Sequence, residues 1–133
     1  MADYYTQFAC KLELGSSENV RCAMALYHEM TTELSDDGRD IGFKMKIGSD
    51  GLCTWLSIYD DISGNPENVI DFVRRCARAL PLTGLWGFEW ANTCSKSRLD
   101  AFGGGAHVLT LATGETVAWI DTHLWLQQHL DTT

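Results

Sequence analysis

The chain reads as an α+β sandwich on three observations. Segments whose apolar residues alternate with polar ones are interleaved with segments whose apolar residues step by three and four, in the order strand, helix, strand, strand, helix, strand. The hexapeptide Gly15-Ser16-Ser17-Glu18-Asn19-Val20 recurs about 49 residues later as Gly64-Asn65-Pro66-Glu67-Asn68-Val69, and each copy follows an extended stretch and opens a helical one. The 133 residues are 45% hydrophobic and 21% charged, the profile of one domain. Folded compactly, such a chain exposes about 7,000 Å².

The elements follow in order. Phe8, Cys10, Leu12 and Leu14 line one face of a first strand. Ser16 or Ser17 then caps a helix whose stripe is Val20, Ala23, Met24, Tyr27, Met30, Thr31 and Leu34. Ile41, Phe43, Met45 and Ile47 form a second strand with Lys44 and Lys46 on its other face, and Ser49-Asp50-Gly51 turns it into a third, Leu52 to Tyr59. There Leu52, Leu56 and Ile58 share a face, with Trp55 and Tyr59 opposite. Asn65 caps the second helix and Pro66 suits its first position; Val69, Phe72, Val73, Cys76, Ala79 and Leu80 are its stripe, and Pro81 and Gly84 end it. Trp86, Phe88 and Trp90 alternate in a fourth strand. This βαββαβ order with an internal pseudo-repeat predicts a ferredoxin-like sandwich whose helices cover the Leu12, Phe43 and Leu56 side. Residues 1–90 are its core.

Beyond the core, residues 91–105 read as a glycine-rich polar loop. Residues 106–133 read as a hairpin, Ala106 to Leu111 and Glu115 to Ile120 about a Thr113-Gly114 turn, then a short helix from Asp121 or Thr122 to Leu130. This tail has no counterpart in the repeat, and one outcome is that it extends the sheet.

Charge and cysteine content exclude several classes. Eighteen acidic against ten basic residues give a net charge of -8, which repels phosphate backbones and disfavours nucleic acid as a partner. Five cysteines, at 10, 22, 53, 76 and 94, form no C-x-x-C pair, and four lie in apolar segments as small hydrophobes; neither a disulfide framework nor a metal site is expected. With no long apolar span and no basic-then-apolar N-terminus, a cytoplasmic protein without membrane contact is expected.

Candidate site residues concentrate in the 91–105 segment. Lys96 and Arg98 bring positive charge, and the amides of Gly103, Gly104 and Gly105 are unobstructed, so an anion pocket is one reading and a flexible tether the plainer one. Cys94 with His107, oriented by Asn92 or Asp100, is the one nucleophile and base pair that the composition offers, and nothing in sequence brings it together. His28, His123 and His129 lack metal-ligand spacing. The paired carboxylates Asp36-Asp37 and Asp60-Asp61 are explained by turns. Trp55 and Tyr59 form an aromatic sheet face of the kind that is usually covered by a tail or a second subunit. Trp119 and Trp125 are expected in the core, and any exposed aromatic would instead be an interface anchor. No catalytic set converges, and no cofactor is called for.

The run from Trp86-Gly87-Phe88-Glu89-Trp90 through Asn92-Thr93-Cys94-Ser95 and Arg98-Leu99-Asp100 to Phe102-Gly103-Gly104-Gly105-Ala106 resembles small bacterial proteins often carried on mobile elements. The resemblance implies a bacterial cytosolic setting and brings no activity, substrate or catalytic residues. The expectation is therefore a non-catalytic interaction module that binds a protein partner through the 91–105 segment, Trp90 and other exposed aromatics, with a homodimer as one form. The alternatives are an anti-CRISPR-like inhibitor that occupies a basic surface of a host defence complex, and an enzyme with an anion pocket at the loop.

Overall fold

The computed structural model describes residues 2–49 and 51–131. Among these stand three helices and one six-stranded antiparallel sheet. In chain order they are β1 (Tyr4–Glu13), α1 (Ser17–Asp36), β2 (Lys44–Ile47), β3 (Trp55–Asp60), α2 (Pro66–Ala79), β4 (Leu85–Cys94), β5 (Gly103–Thr110), β6 (Thr116–Asp121) and α3 (Thr122–Leu130). The order across the sheet is β2-β3-β1-β4-β5-β6.

Local chemistry sets both long helices. The Ser16 hydroxyl accepts from the Asn19 N–H at 3.1 Å, and the Asn65 side chain accepts from the Asn68 N–H at 3.2 Å. Each cap satisfies an amide that has no partner within the helix. The third residue after each cap is an asparagine whose amide ties the helix start to a preceding carbonyl, Asn19 to Leu14 at 2.8 Å and Asn68 to Ile41 at 2.9 Å. The stripes then bury Val20, Ala23, Met30 and Leu34 from α1, and Val69, Phe72, Val73 and Cys76 from α2, in one core with Leu12, Leu56 and Ile58. Arg75 on α2 joins the two helices by an ion pair with Glu33 at 2.9 Å.

β1 divides its pairing. Tyr4 to Gln7 pair with Cys94 to Ala91 of β4, whereas Phe8 to Glu13 pair with Asp60 to Trp55 of β3. Aromatic rings fill the space where β1 leaves β4. Phe8 meets Phe88 edge-on at 5.7 Å, and the Trp86 indole donates to the Lys11 carbonyl at 3.0 Å.

Several expectations need correction. β2 opens at Lys44; Ile41 and Phe43 are buried but lie outside the strand, because Gly42 takes φ +78 and breaks the extension. β3 opens at Trp55 because Cys53 sits in the left-handed region at φ +55, and this leaves Leu52 exposed instead of in line with Leu56. The predicted Ser49-Asp50-Gly51 turn includes Asp50, which lies outside the described residues. Cys22 faces solvent and Cys53 is exposed, so only part of the cysteine set behaves as apolar filling. Burial pushes the Cys10 and Cys76 thiols up to about 12.

The tail hairpin extends the sheet beyond β4, an outcome the sequence left open, and the correction there concerns its tryptophans. α2 reaches the hairpin through Arg74, but β6 has no buried residue and every residue of α3 is exposed. Trp119 is 57% exposed and Trp125 49% exposed, not core. Nor does the tail cover Trp55 and Tyr59. Lys11 stands over the Trp55 ring at 4.5 Å and Lys46 over the Tyr59 ring at 5.3 Å. No helix among the described residues is long and apolar enough to cross a membrane.

Candidate functional site

Between α2 and the β4-β5-β6 half of the sheet, a cleft of about 430 Å³ opens on the helix-bearing face. Strand register builds its floor, because residues paired across antiparallel strands share a face. One row runs Trp90, Gly105, Asp121 and the next runs Phe88, His107, Trp119, across β4, β5 and β6. Glu67, Ile70 and Arg74 of α2 form the facing wall.

The glycine at the centre of the first row is dictated by its neighbours. A Cβ on Gly105 would overlap the Trp90 ring and stand 2.6 Å from the Ile120 carbonyl oxygen, so only glycine lets the indole lie over β5. Trp90 is half-buried and leans on Phe88, with ring centroids 5.3 Å apart. It thus offers a supported aromatic wall, while Trp119 stands out into solvent two rungs away.

The other end of the cleft is closed by hydrogen bonds. Arg74 donates from Nε to the Gly114 carbonyl at 3.0 Å and from its guanidinium to the Thr116 hydroxyl. Thr116 Oγ1 stands 2.8 Å from His107 Nε2. Thr116 Oγ1 thus links Arg74 to His107 in one hydrogen-bonded chain. Burial, and then the nearby Arg74 charge, hold the His107 pKa below its ordinary value. The imidazole is therefore neutral at pH 7. Glu67 lies in the first turn of α2, and Asp121 caps α3 by accepting from the Leu124 N–H at 3.0 Å. Two carboxylates against one guanidinium leave the lining one charge negative.

The structure brings together only part of the expected site. Trp90 and His107 line the cleft, and Asn92 lines a neighbouring hollow of about 410 Å³ that shares Trp90, Glu67 and Asp121 with it. Asn92 accepts there from the Thr6 hydroxyl at 2.9 Å. The 91–105 loop is shorter than expected, since β4 runs to Cys94 and β5 opens at Gly103, leaving 95–102 irregular. Gly103, Gly104 and Gly105 are in ladder register with Asn92, Ala91 and Trp90, and the Gly104 N–H donates to the Thr122 hydroxyl at 3.1 Å. The three glycines therefore belong to β5 and not to a loop.

Lys96, Arg98 and Asp100 are exposed on the irregular segment. Cys94 pairs with Tyr4, whereas His107 pairs with Phe88 six residues back along β4. That separation is about 20 Å along the strand, so no nucleophile and base pair forms. Trp55 and Tyr59 lie on the opposite face. Among the described residues no group of three or more His, Cys, Asp or Glu is placed to hold a metal ion.

Sequence reasoning missed Glu67, Ile70, Arg74, Trp119 and Asp121 as cleft residues. Glu67 and Asp121 read as helix-start chemistry, which they also perform. The available signal was the glycine triplet facing Trp90 across a hairpin, since close approach of an indole to a strand needs a residue without a side chain. No family model, curated protein or solved structure matches this chain.

Proposed function

We propose that this protein is a non-catalytic interaction module that takes a basic side chain of a protein partner between Trp90 and Trp119. A lysine or arginine head is attracted to indole faces and to carboxylates, and the cleft presents both, with Glu67 and Asp121 at its open side. The single observation that carries the reading is the Trp90 ring held against Gly105 in a cleft of net negative charge. The neutral His107 adds no opposing charge, and Arg74 is engaged at the closed end. The overall charge of -8 draws a basic partner toward this face.

The scaffold under this site is read as a ferredoxin-like unit over residues 4–94, supported by the strand order β2-β3-β1-β4. Its two halves are read as a pseudo-repeat, supported by matching caps at Ser16 and Asn65 and matching asparagines at 19 and 68. The setting we propose follows the resemblance to mobile-element proteins, a bacterial cytosol. There the same charge favours a second reading, an anti-CRISPR-like occupant of a basic surface on a host defence complex.

The test is a titration of tryptophan fluorescence with an arginine-rich peptide and with a glutamate-rich control. Glu67→Gln/Asp121→Asn removes both charges and keeps the α3 cap, since asparagine also caps. The arginine peptide is expected to bind at least about 10-fold more weakly to this variant, as removing charge partners of a bound cation does. Equal binding by parent and variant would refute the cleft. Lys96→Glu/Arg98→Glu tests the 95–102 segment, and unchanged partners in that variant would remove it from the proposal.

A further inference from the structure

β6 (Thr116–Asp121) is one of the two outer strands of the sheet, and its protection as an edge is limited to a bulge and the terminal Asp121. It has no lysine, no proline and no covering loop, and its one irregularity is the bulge opposite Val108 and Leu109. Val117, Trp119 and Ile120 are exposed along it, and α3 adds Leu124, Trp125, Leu126 and Leu130. These side chains expose on the order of 700 Å² of apolar surface in one region, above the few hundred typical of a monomer. The total tells the same story. The chain exposes 8182 Å², about 1,200 Å² more than a compact monomer of its mass. A standard interface removes about 800 Å² from each partner.

We propose that a second copy of this chain covers this edge, β6 pairing antiparallel with its own counterpart about a two-fold axis perpendicular to the sheet. This goes beyond the cleft reading and stands on different observations. Residues facing each other across an antiparallel pair lie on the same side of the sheet, so the axis must pass through a residue and not between two. Placing it at Trp119 sets indole beside indole and Ala118 opposite Ile120 of the second copy. Placing it one residue earlier, at Ala118, would oppose Glu115 to Asp121 of the second copy, two like charges. The groove between β6 and α3, about 270 Å³ and lined by Ile120, Leu124, Trp125 and Gln128 among others, involves both faces of β6 and receives the far end of the added strand. The two Trp90 clefts then open on the same side of a continuous sheet.

Sedimentation equilibrium of the full chain reads the mass directly, and the result expected is close to twice 14.8 kDa at micromolar concentration. Trp119→Glu sets two carboxylates against each other at the axis and is expected to raise the dimer dissociation constant at least about 100-fold, as loss of a central anchor does. Ile47→Glu, on β2 at the opposite edge of the sheet, should leave the dimer intact. Trp119→Cys in a Cys22→Ser/Cys53→Ser background keeps the test independent of whether Trp119→Glu folds. A cysteine on the axis forms an intermolecular disulfide under mild oxidation. A monomer at about 100 µM, or a dimer that persists in Trp119→Glu and gives no cross-link at position 119, would overturn the proposal. Trp119 serves both readings, so peptide binding to the cleft is read separately, through Glu67→Gln/Asp121→Asn with Trp119 left in place.

Discussion

A methyl group on Gly105 probes the cleft floor at its tightest point. In Gly105→Ala the new carbon would overlap Trp90 at Cζ2, stand 2.9 Å from its Cε2, and stand 2.6 Å from the Ile120 carbonyl oxygen. The indole can swing away, but the oxygen belongs to the β5–β6 ladder and moves only if the strands separate. Overpacking at sites that yield partly costs about 1–3 kcal/mol, and the backbone contact places this one at about 2–3 kcal/mol. Unfolding entropy for 133 residues gives about 3.6 °C of Tm per kcal/mol, so Tm should fall by about 7–11 °C in a thermal melt followed by circular dichroism. A double-mutant cycle separates the two contacts. In a Trp90→Leu background the same change should cost about 1 kcal/mol less, because the ring has gone and the carbonyl remains. A Gly105→Ala protein melting within about 1 °C of its parent, with unshifted tryptophan emission, would refute the ring contact and with it the supported wall of the cleft.

Three further outcomes are expected. The His107 pKa is lowered on folding, so the unfolded chain binds more protons here; the resulting stability is whole above the unfolded value near 6.5 and is lost as pH falls through the lower folded value, and melts from pH 7.5 to 5 should show a smaller drop in His107→Gln than in the parent. Thiol labelling under native conditions should modify the exposed Cys22 and Cys53 first, with Cys10 and Cys76 protected until denaturant is added; early modification of Cys76 would contradict its place on the buried face of α2. Arg75→Gln removes the Glu33 and Asp71 pairs on the helix surface and should lower Tm by no more than about 3 °C at low salt, an effect erased in 1 M NaCl if it is electrostatic.

The layered part of the fold was legible because periodicity and caps reinforce each other. Val20 to Leu34 and Val69 to Leu80 step at helical spacing behind Ser16 and Asn65, and no other element fits such runs. The Thr113-Gly114 turn and the Asp121 start of α3 were legible for the same reason. Strand ends were less so, because Cys53 at positive φ and Gly42 break alternation in ways a residue pattern does not record. The exposure of Trp119 and Trp125 was hidden for a different reason. An alternating strand announces that one face is apolar, but whether anything covers that face depends on how many helices the chain has and which strands they reach. Two helices here bury Leu109 of β5 but no residue of β6. The glycine triplet read as loop chemistry because a strand built from glycine has little propensity of its own; the Trp90 ring across the ladder supplies the reason for it.

The divided pairing of β1 has a consequence for how the chain must assemble. Its inner edge meets β3 some fifty residues later, but its first four residues wait for the end of β4, close to ninety residues along. During synthesis the earliest strand therefore emerges with part of its hydrogen-bonding edge vacant until residue 94 has left the ribosome. Closing so wide a loop is slow, whereas β4, β5 and β6 pair as consecutive hairpins. β1 is thus secured along both edges only after a unit more distant in sequence has formed beside it.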